Sequence, residues 1–288
     1  MDIRRIKAAA DRLRGHAVRT PLLNAPLLDA DAGRRIFVKP ECLQKTGSFK
    51  YRGARSAVTA LSEDDRARGV IAFSSGNHAQ GVALAAQEAG TASTIIMPSD
   101  APALKIENTR RLGAEVILYD RATEDRDEIG ARLARERRLT LIKPFDNPNV
   151  IAGQGTAGLE IAEQAAQAGV GDADVLVCCG GGGLTSGIAL ALEAEAPGLR
   201  ARPVEPEGFD DVARSLISGT RQTNEKRTGS ICDAVITPTP GALTFPIMQR
   251  LCGPAQVVSD EDALRAMAVA FTRLKIVLEP GGAIALAD

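Results

Sequence analysis

Short apolar runs rich in β-branched residues alternate with longer alanine-rich stretches of helical periodicity along this 288-residue chain. The runs fall at residues 70–73, 93–97, 115–119, 140–142, 174–179 and 201–204. The helical stretches fall at 54–61, 78–89, 103–112, 123–138, 157–168, 184–196 and 261–275. Turn residues mark the seams at Gly90, Gly113, Gly169-Val170-Gly171 and Pro197-Gly198. Strand–helix alternation builds parallel sheets with helices on both faces, because parallel strands need a crossover to return. The expectation is an α/β protein with two sheets, one spanning residues 70–145 and one in the remainder. Residues 66–69 and 144–149 read as linkers, with Pro144 and Pro148 as helix breakers. No internal repeat or low-complexity segment interrupts the pattern.

Composition removes several function classes. Lys and Arg number 35 against 36 Asp and Glu, so no strong field favours nucleic acid or an anionic membrane. Aromatics are only 3% and Trp is absent, which leaves few platforms for stacking bases. No apolar stretch approaches the ~20 residues that cross a bilayer, and residues 1–5 lack the apolar core of a signal peptide. Cytoplasmic location is the expectation. Cys42, Cys178, Cys179, Cys232 and Cys252 form no CxxC pair, so buried thiols are expected rather than disulfides or metal ligands.

Three local patterns carry chemistry. Lys50 stands between Phe49 and Tyr51, after a Gly-Ser turn and before a helical stretch. A lysine held among aromatic and turn residues loses hydration, which lowers its pKa and frees a nucleophilic amine able to form Schiff bases with aldehydes. A solvated surface lysine is the competing reading. The second pattern is a buried strand that runs into Gly180-Gly181-Gly182-Gly183 and then into Leu184-Thr185-Ser186-Gly187. Glycines let backbone N–H groups converge on an anion, and the following helix N-terminus adds donors and partial positive charge. The run is a phosphate cradle without the Lys-Ser/Thr pair of a P-loop. A dinucleotide reading stays open: the third glycine of GxGxxG is replaced by Ser186, while Glu205 ends the next strand where a ribose-binding acid would fall. The third pattern, Ser74-Ser75-Gly76-Asn77-His78-Ala79-Gln80-Gly81, again joins a strand end to a helix start. Hydroxyls, an amide and free N–H groups there suit a carboxylate, although a plain Ser N-cap would read alike.

Taken in order, Thr46-Gly47-Ser48-Phe49-Lys50, the 74–80 run, Gly153-Gln154-Gly155-Thr156 and the tetraglycine resemble the fold-type II pyridoxal phosphate (PLP) enzymes. Within that group the likeness is to the serine/threonine dehydratase and serine racemase family. It extends from Thr20-Pro21-Leu22 to Glu279-Pro280-Gly281-Gly282-Ala283. The resemblance implies two domains, each a mostly parallel sheet flanked by helices, with PLP between them. Residues 68–146 would be a small substrate-closing domain, and 1–67 with 147–288 a large PLP-binding domain. A homodimer acting on a small amino acid is implied as well.

By the same resemblance Lys50 holds PLP covalently and takes the α-proton. Phe49 packs against the ring, Asn77 bonds its hydroxyl, and Gly180, Gly181, Gly182, Gly183 and Leu184 hold its phosphate. Ser74, Ser75, Asn77 and His78 grip the substrate carboxylate, and Arg126 reaches the substrate. Many threonine dehydratases have alanine where Ser75 stands, whereas serine racemases and hydroxyaspartate dehydratases have serine. A hydroxyl opposite Lys50 would allow proton transfer on the second face. The implied activity is conversion of L-threonine, L-serine or a similar β-hydroxy amino acid to a 2-oxo acid and ammonia. Serine racemase, 3-hydroxyaspartate dehydratase and a non-catalytic amino-acid-binding relative are the alternatives.

The family's divalent-cation loop resembles Val204-Glu205-Pro206-Glu207-Gly208-Phe209-Asp210-Asp211. The implied ligands are Glu205, the Phe209 carbonyl and Asp211, an oxygen set suited to Mg²⁺ or Ca²⁺. Two departures stand out. Ala234 follows Asp233 where the family usually has Asp-Gly, adding a methyl beside the cofactor. The sequence also ends at Asp288, before the Ser-Gly-Gly-Asn-like turn that partners the PLP ring nitrogen, so a truncated large domain is expected.

Overall fold

A computed structural model describes residues 1–74, 76–120 and 122–287. The chain opens with helices α1 (Ile3–Leu13), α2 (Pro26–Ala32), α3 (Lys50–Thr59) and α4 (Glu63–Arg68). A βα series follows: β1 (Val70–Phe73), α5 (Asn77–Glu88), β2 (Ser93–Pro98), α6 (Ala103–Arg111), β3 (Glu115–Tyr119), α7 (Arg126–Arg137) and β4 (Thr140–Leu141). Next come α8 (Pro148–Gln167), β5 (Ala173–Cys178), α9 (Gly183–Glu195), β6 (Leu199–Pro206) and α10 (Asp211–Ser218). The chain closes with α11 (Thr244–Leu251), β7 (Gln256–Val258), α12 (Asp260–Val269) and α13 (Pro280–Ala283).

The strands form two wholly parallel sheets, ordered β3-β2-β1-β4 and β5-β6-β7. Alternation along the strands separates two cores in the first sheet. Val70, Ala72, Ile95 and Met97 pack with α3 and α5, while Ile71 and Ile96 pack with Leu133 of α7. Both faces are therefore covered, as parallel strands require. The first sheet lies wholly within residues 68–146, and we propose those bounds for the smaller domain.

Several expectations change. The helix expected at 157–168 begins at Pro148, which sits in the first turn with Asn147 capping it through bonds from Asn149 N (2.8 Å) and Val150 N (3.1 Å). Proline lacks only an N–H that the first turn leaves unpaired, so it starts this helix rather than breaking one. The helix expected from residue 54 begins at Lys50. A short third strand, β7, extends the second sheet. The helix expected to run to residue 275 ends at Val269 and continues as a π turn over Ala270–Leu274, and α1, α2, α4, α10, α11 and α13 are additions to the expected stretches. The smaller revisions are of one to three residues at element ends.

Glycines set how closely the central helices cross. A Cβ at Gly153 would fall 2.4 Å from Arg52 O, and one at Gly187 would fall 2.6 Å from Gly155 N. The Gly153–Thr156 motif thus belongs to the crossing of α8 with α3 and α9. Gln154 Oε1 accepts from Gly53 N at 3.1 Å in that crossing.

Candidate active site

In the first sheet the strand order reverses beside β1: β2 and β3 lie to one side and β4 to the other. Open parallel sheets leave a crevice at the carboxyl ends of such a switch point, and ligands bind there. The turn after β1 carries Ser74, Gly76 and Asn77, and the segment after β4 carries Lys143, Pro144 and Phe145. The second sheet contributes the turn after β5, residues 179–182. These ends enclose one cleft of about 1220 Å³, lined among others by Phe49, Lys50, Ser74, Asn77, His78, Arg126 and Gly180 to Leu184.

Lys50 is the first residue of α3, and Nζ donates to Pro144 O at 3.2 Å. Nζ stands 5.2 Å from the Phe49 ring centroid. A Cβ at Gly81 would lie 3.1 Å from the backbone of Lys50 and Tyr51, so the last glycine of the 74–81 run lets α5 press against the start of α3. Burial lowers the Lys50 pKa from its ordinary 10.5 to about 8, with the Glu279 carboxylate opposing the shift. Two residues on, Arg52 is buried and donates to Glu41 (2.8 and 2.9 Å), to Glu160 (2.6 and 2.9 Å) and to Thr156 Oγ1 (3.2 Å). Lys39 Nζ joins Glu160 to the Thr20 carbonyl. This network fixes the turn of helix that presents Lys50.

The tetraglycine joins β5 to α9. Gly182, at φ +85°, is the N-cap of α9, a backbone shape that favours glycine. Close packing explains the others: a Cβ at Gly180 would fall 2.9 Å from Val235 O, and one at Gly181 would fall 2.4 Å from the Phe145 ring. The result is a compact turn with the unpaired amides of a helix N-terminus facing a common region. Thr237 Oγ1, also in the cleft lining, is buried and makes no hydrogen bond. A cradle of this kind fits a phosphate, and a half-buried lysine in the same cleft fits the aldehyde end of the same molecule.

Opposite this cradle, Ser74 Oγ accepts from Gly76 N at 3.1 Å, and Asn77 Nδ2 donates to Glu279 Oε1. His78 is buried, with Nε2 bonded to Ile142 O at 2.8 Å. Burial and the neighbouring Lys50 push its pKa down to about 3, so the ring stays neutral and its Nε2–H is committed to the backbone. His78 therefore offers its backbone N–H, in the first turn of α5, rather than a cationic ring to an anion. Arg126 lines the cleft from the start of α7. Ser75 lies outside the described residues.

The Glu205 and Asp211 pair sits apart from Lys50. Glu205 is fully buried, and its oxygens accept from Val212 N (3.0 Å) and Ala213 N (2.7 Å) in the first turn of α10. That geometry overturns the ribose-acid alternative, because neither oxygen is open to a nucleoside. Asp211 accepts from Asn224 Nδ2 at 2.6 Å through one oxygen, while the other is buried without a partner. Burial raises the Asp211 pKa to about 6, and burial with the nearby Asp211 raises Glu205 well above the usual range. Phe209 is buried between them in sequence. Among the described residues no three His, Cys, Asp or Glu side chains cluster as a metal site. The orphaned oxygen nevertheless fits a cation completed by backbone carbonyls and water.

The family description "Pyridoxal-phosphate dependent enzyme" matches residues 13–288. The chain belongs to the pyridoxal-phosphate dependent enzymes. An L-threo-3-hydroxyaspartate ammonia-lyase of Pseudomonas sp is 45% identical over 280 residues, covering 97% of this chain and 86% of the relative. A serine racemase of Oryza sativa subsp. indica is 39% identical over 286 residues, covering 99% and 83%. The crystal structure of a threonine deaminase from T.th. superposes with a TM-score of 0.94 at 45% identity, covering 100% of this chain and 92% of that one. These similarities make it a fold-type II member of the ammonia-lyase and racemase group. Among its described residues no helix is long and apolar enough to cross a membrane. All five cysteines are free, as expected from their spacing.

Sequence patterns alone missed Glu279, Phe145, Lys105 and Asp233, all of which line the cleft of this PLP-family chain. Phe145 falls in the stretch read as a linker, and Lys105 in the helical stretch 103–112. Only the fold brings them to Lys50. A pH test follows from the lowered Lys50 pKa: uptake of PLP by apoprotein needs the neutral amine, which accumulates as pH rises through the folded pKa. The initial rate of cofactor absorbance growth is expected to rise and level off with a midpoint near pH 8. Glu279→Gln removes the opposing carboxylate, and the midpoint is expected to fall further.

Proposed function

We propose that this chain is a PLP-dependent ammonia-lyase that converts a β-hydroxy amino acid, of the L-threonine, L-serine or 3-hydroxyaspartate kind, to a 2-oxo acid and ammonia. The observation that carries the proposal is a half-buried Lys50 of lowered pKa in one cleft with the tetraglycine turn and the first turn of α5. Gly180 to Leu184 would hold the cofactor phosphate, Phe49 its ring and Asn77 its hydroxyl. Bound there, PLP supplies an electron sink that makes loss of a substrate α-proton accessible. Lys50 Nζ, whose lowered pKa makes the neutral amine accessible, takes that proton and passes one toward the departing hydroxyl. Ser74, Asn77 and the α5 amides orient the substrate carboxylate. The test is release of 2-oxo acid and ammonia by holoprotein given L-serine, L-threonine and L-threo-3-hydroxyaspartate; absence of product from all three would refute it.

Racemisation is the second reading, supported by the identity to serine racemases and by a serine at position 75. It predicts solvent deuterium at Cα of unreacted substrate of both hands, lost in Ser75→Ala. We propose in addition that the Phe209 carbonyl and the unpartnered Asp211 oxygen hold Mg²⁺ or Ca²⁺, with Glu205, whose oxygens accept from Val212 N and Ala213 N, fixing the turn that carries Asp211. A cation bound only by the folded state stabilises it by about 2.7 kcal/mol at 100-fold excess over Kd. Thermal unfolding with and without about 5 mM Ca²⁺ or Mg²⁺ (that regime for a site of tens of micromolar Kd) is expected to show a rise of several degrees. Asp211→Asn should remove the rise.

A further inference from the structure

Lys105, the third residue of α6, reaches from the smaller sheet across the mouth of the cleft. Its Nζ lies 3.8 Å from Asp233 Oδ2 on the opposite wall. It also stands 3.9 Å from the position a Cβ at Gly76 would take, beside the turn proposed to hold the substrate α-carboxylate. The pair is loose and wet: the side chains are 32% and 67% exposed. Ion pairs of that kind contribute little stability and exchange partners readily. The other carboxylates of the lining are better satisfied, Glu279 by Asn77 and Asp146 by Leu243 N at 2.8 Å.

Resting on the lyase reading, we propose that Lys105 determines specificity by binding the second carboxylate of a dicarboxylic β-hydroxy amino acid, and that Asp233 is the counter-ion which that carboxylate displaces. The α-carboxylate has the amides of the first turn of α5, a set of donors that serves every amino acid alike. An incoming side-chain carboxylate brings a second negative charge into a mouth already holding Asp233. Lys105 sits where it can exchange one anion for the other, and the released Asp233, 67% exposed, is solvated by water. Arg126 lines the same cleft. A substrate with a neutral side chain leaves the Lys105–Asp233 pair in place.

Selectivity, the ratio of kcat/KM for L-threo-3-hydroxyaspartate to that for L-serine, is the readout in holoprotein. Lys105→Gln is expected to lower it at least about tenfold, the size of one lost charged hydrogen bond. Lys105→Arg should retain most of it. Asp233→Asn is expected to shift it the opposite way, about threefold or more, because a competitor for Lys105 is gone. In the Lys105→Gln background the Asp233→Asn gain should shrink, since the two residues act as one unit. Equal losses on both substrates in Lys105→Gln would place Lys105 on the α-carboxylate or in the scaffold and overturn the assignment alone. Failure of the unsubstituted holoprotein to turn over L-serine, L-threonine and L-threo-3-hydroxyaspartate alike would overturn the lyase reading and this inference together.

Discussion

Lys50→Ala is expected to lower kcat for every β-hydroxy amino acid by about 10³–10⁴-fold while leaving the fold intact. A positioned acid or base contributes roughly 10²–10⁴-fold, and the same residue is proposed to anchor the cofactor covalently. Both roles need the amine where α3 begins. The cost to the fold should be small, since Nζ makes a single hydrogen bond, to Pro144 O. Removing a partly desolvated amine with a lowered pKa also removes a desolvation penalty. Circular dichroism and thermal unfolding are expected to match the unsubstituted chain, and stopped 2-oxo acid assays to show the loss. Residual turnover near the original rate would mean that Lys50 is not the base.

Arg52→Met is expected to have the opposite profile, a large loss of stability that precedes any question of rate. Arg52 is 1% exposed and is shared by Glu41 and Glu160, with Lys39 bridging onward to Thr20. Removing one partner from a buried pair leaves charge without compensation and costs about 3–5 kcal/mol. That is a large part of the roughly 5–15 kcal/mol by which a domain is usually stable. Urea unfolding should show the midpoint falling with an unchanged slope. Because the network fixes the helical turn that carries Lys50, cofactor occupancy should fall as well. A loss under about 1 kcal/mol would show the network to be solvated rather than structural.

The contrast between these residues explains what could be read in the sequence. Lys50 announces itself locally, by a Gly-Ser turn and two flanking aromatics. The tetraglycine does so too, because a phosphate cradle is built from consecutive backbone groups. Parallel sheets were legible from strand–helix alternation, and the central strands β1 and β2 bury both faces in short β-branched runs. Pro148 misleads because a proline that starts a helix and one that ends a helix look alike until the cap at Asn147 is seen. Arg52 was invisible for a different reason: its partners lie 11 and 108 residues away. Glu279 meets Asn77 across 202 residues, and Lys105 meets Asp233 across the cleft. His78 read as a substrate ligand, but burial commits its ring to the Ile142 carbonyl. Contacts that only the folded chain creates leave no local pattern.

Whether Lys50 carries the cofactor is decided by borohydride reduction of the PLP-loaded protein, followed by proteolysis and mass spectrometry. The expected result is loss of the yellow colour and one cofactor adduct, on the peptide that contains Lys50, absent in Lys50→Ala. An adduct on any other lysine, or an undiminished adduct in Lys50→Ala, would contradict it.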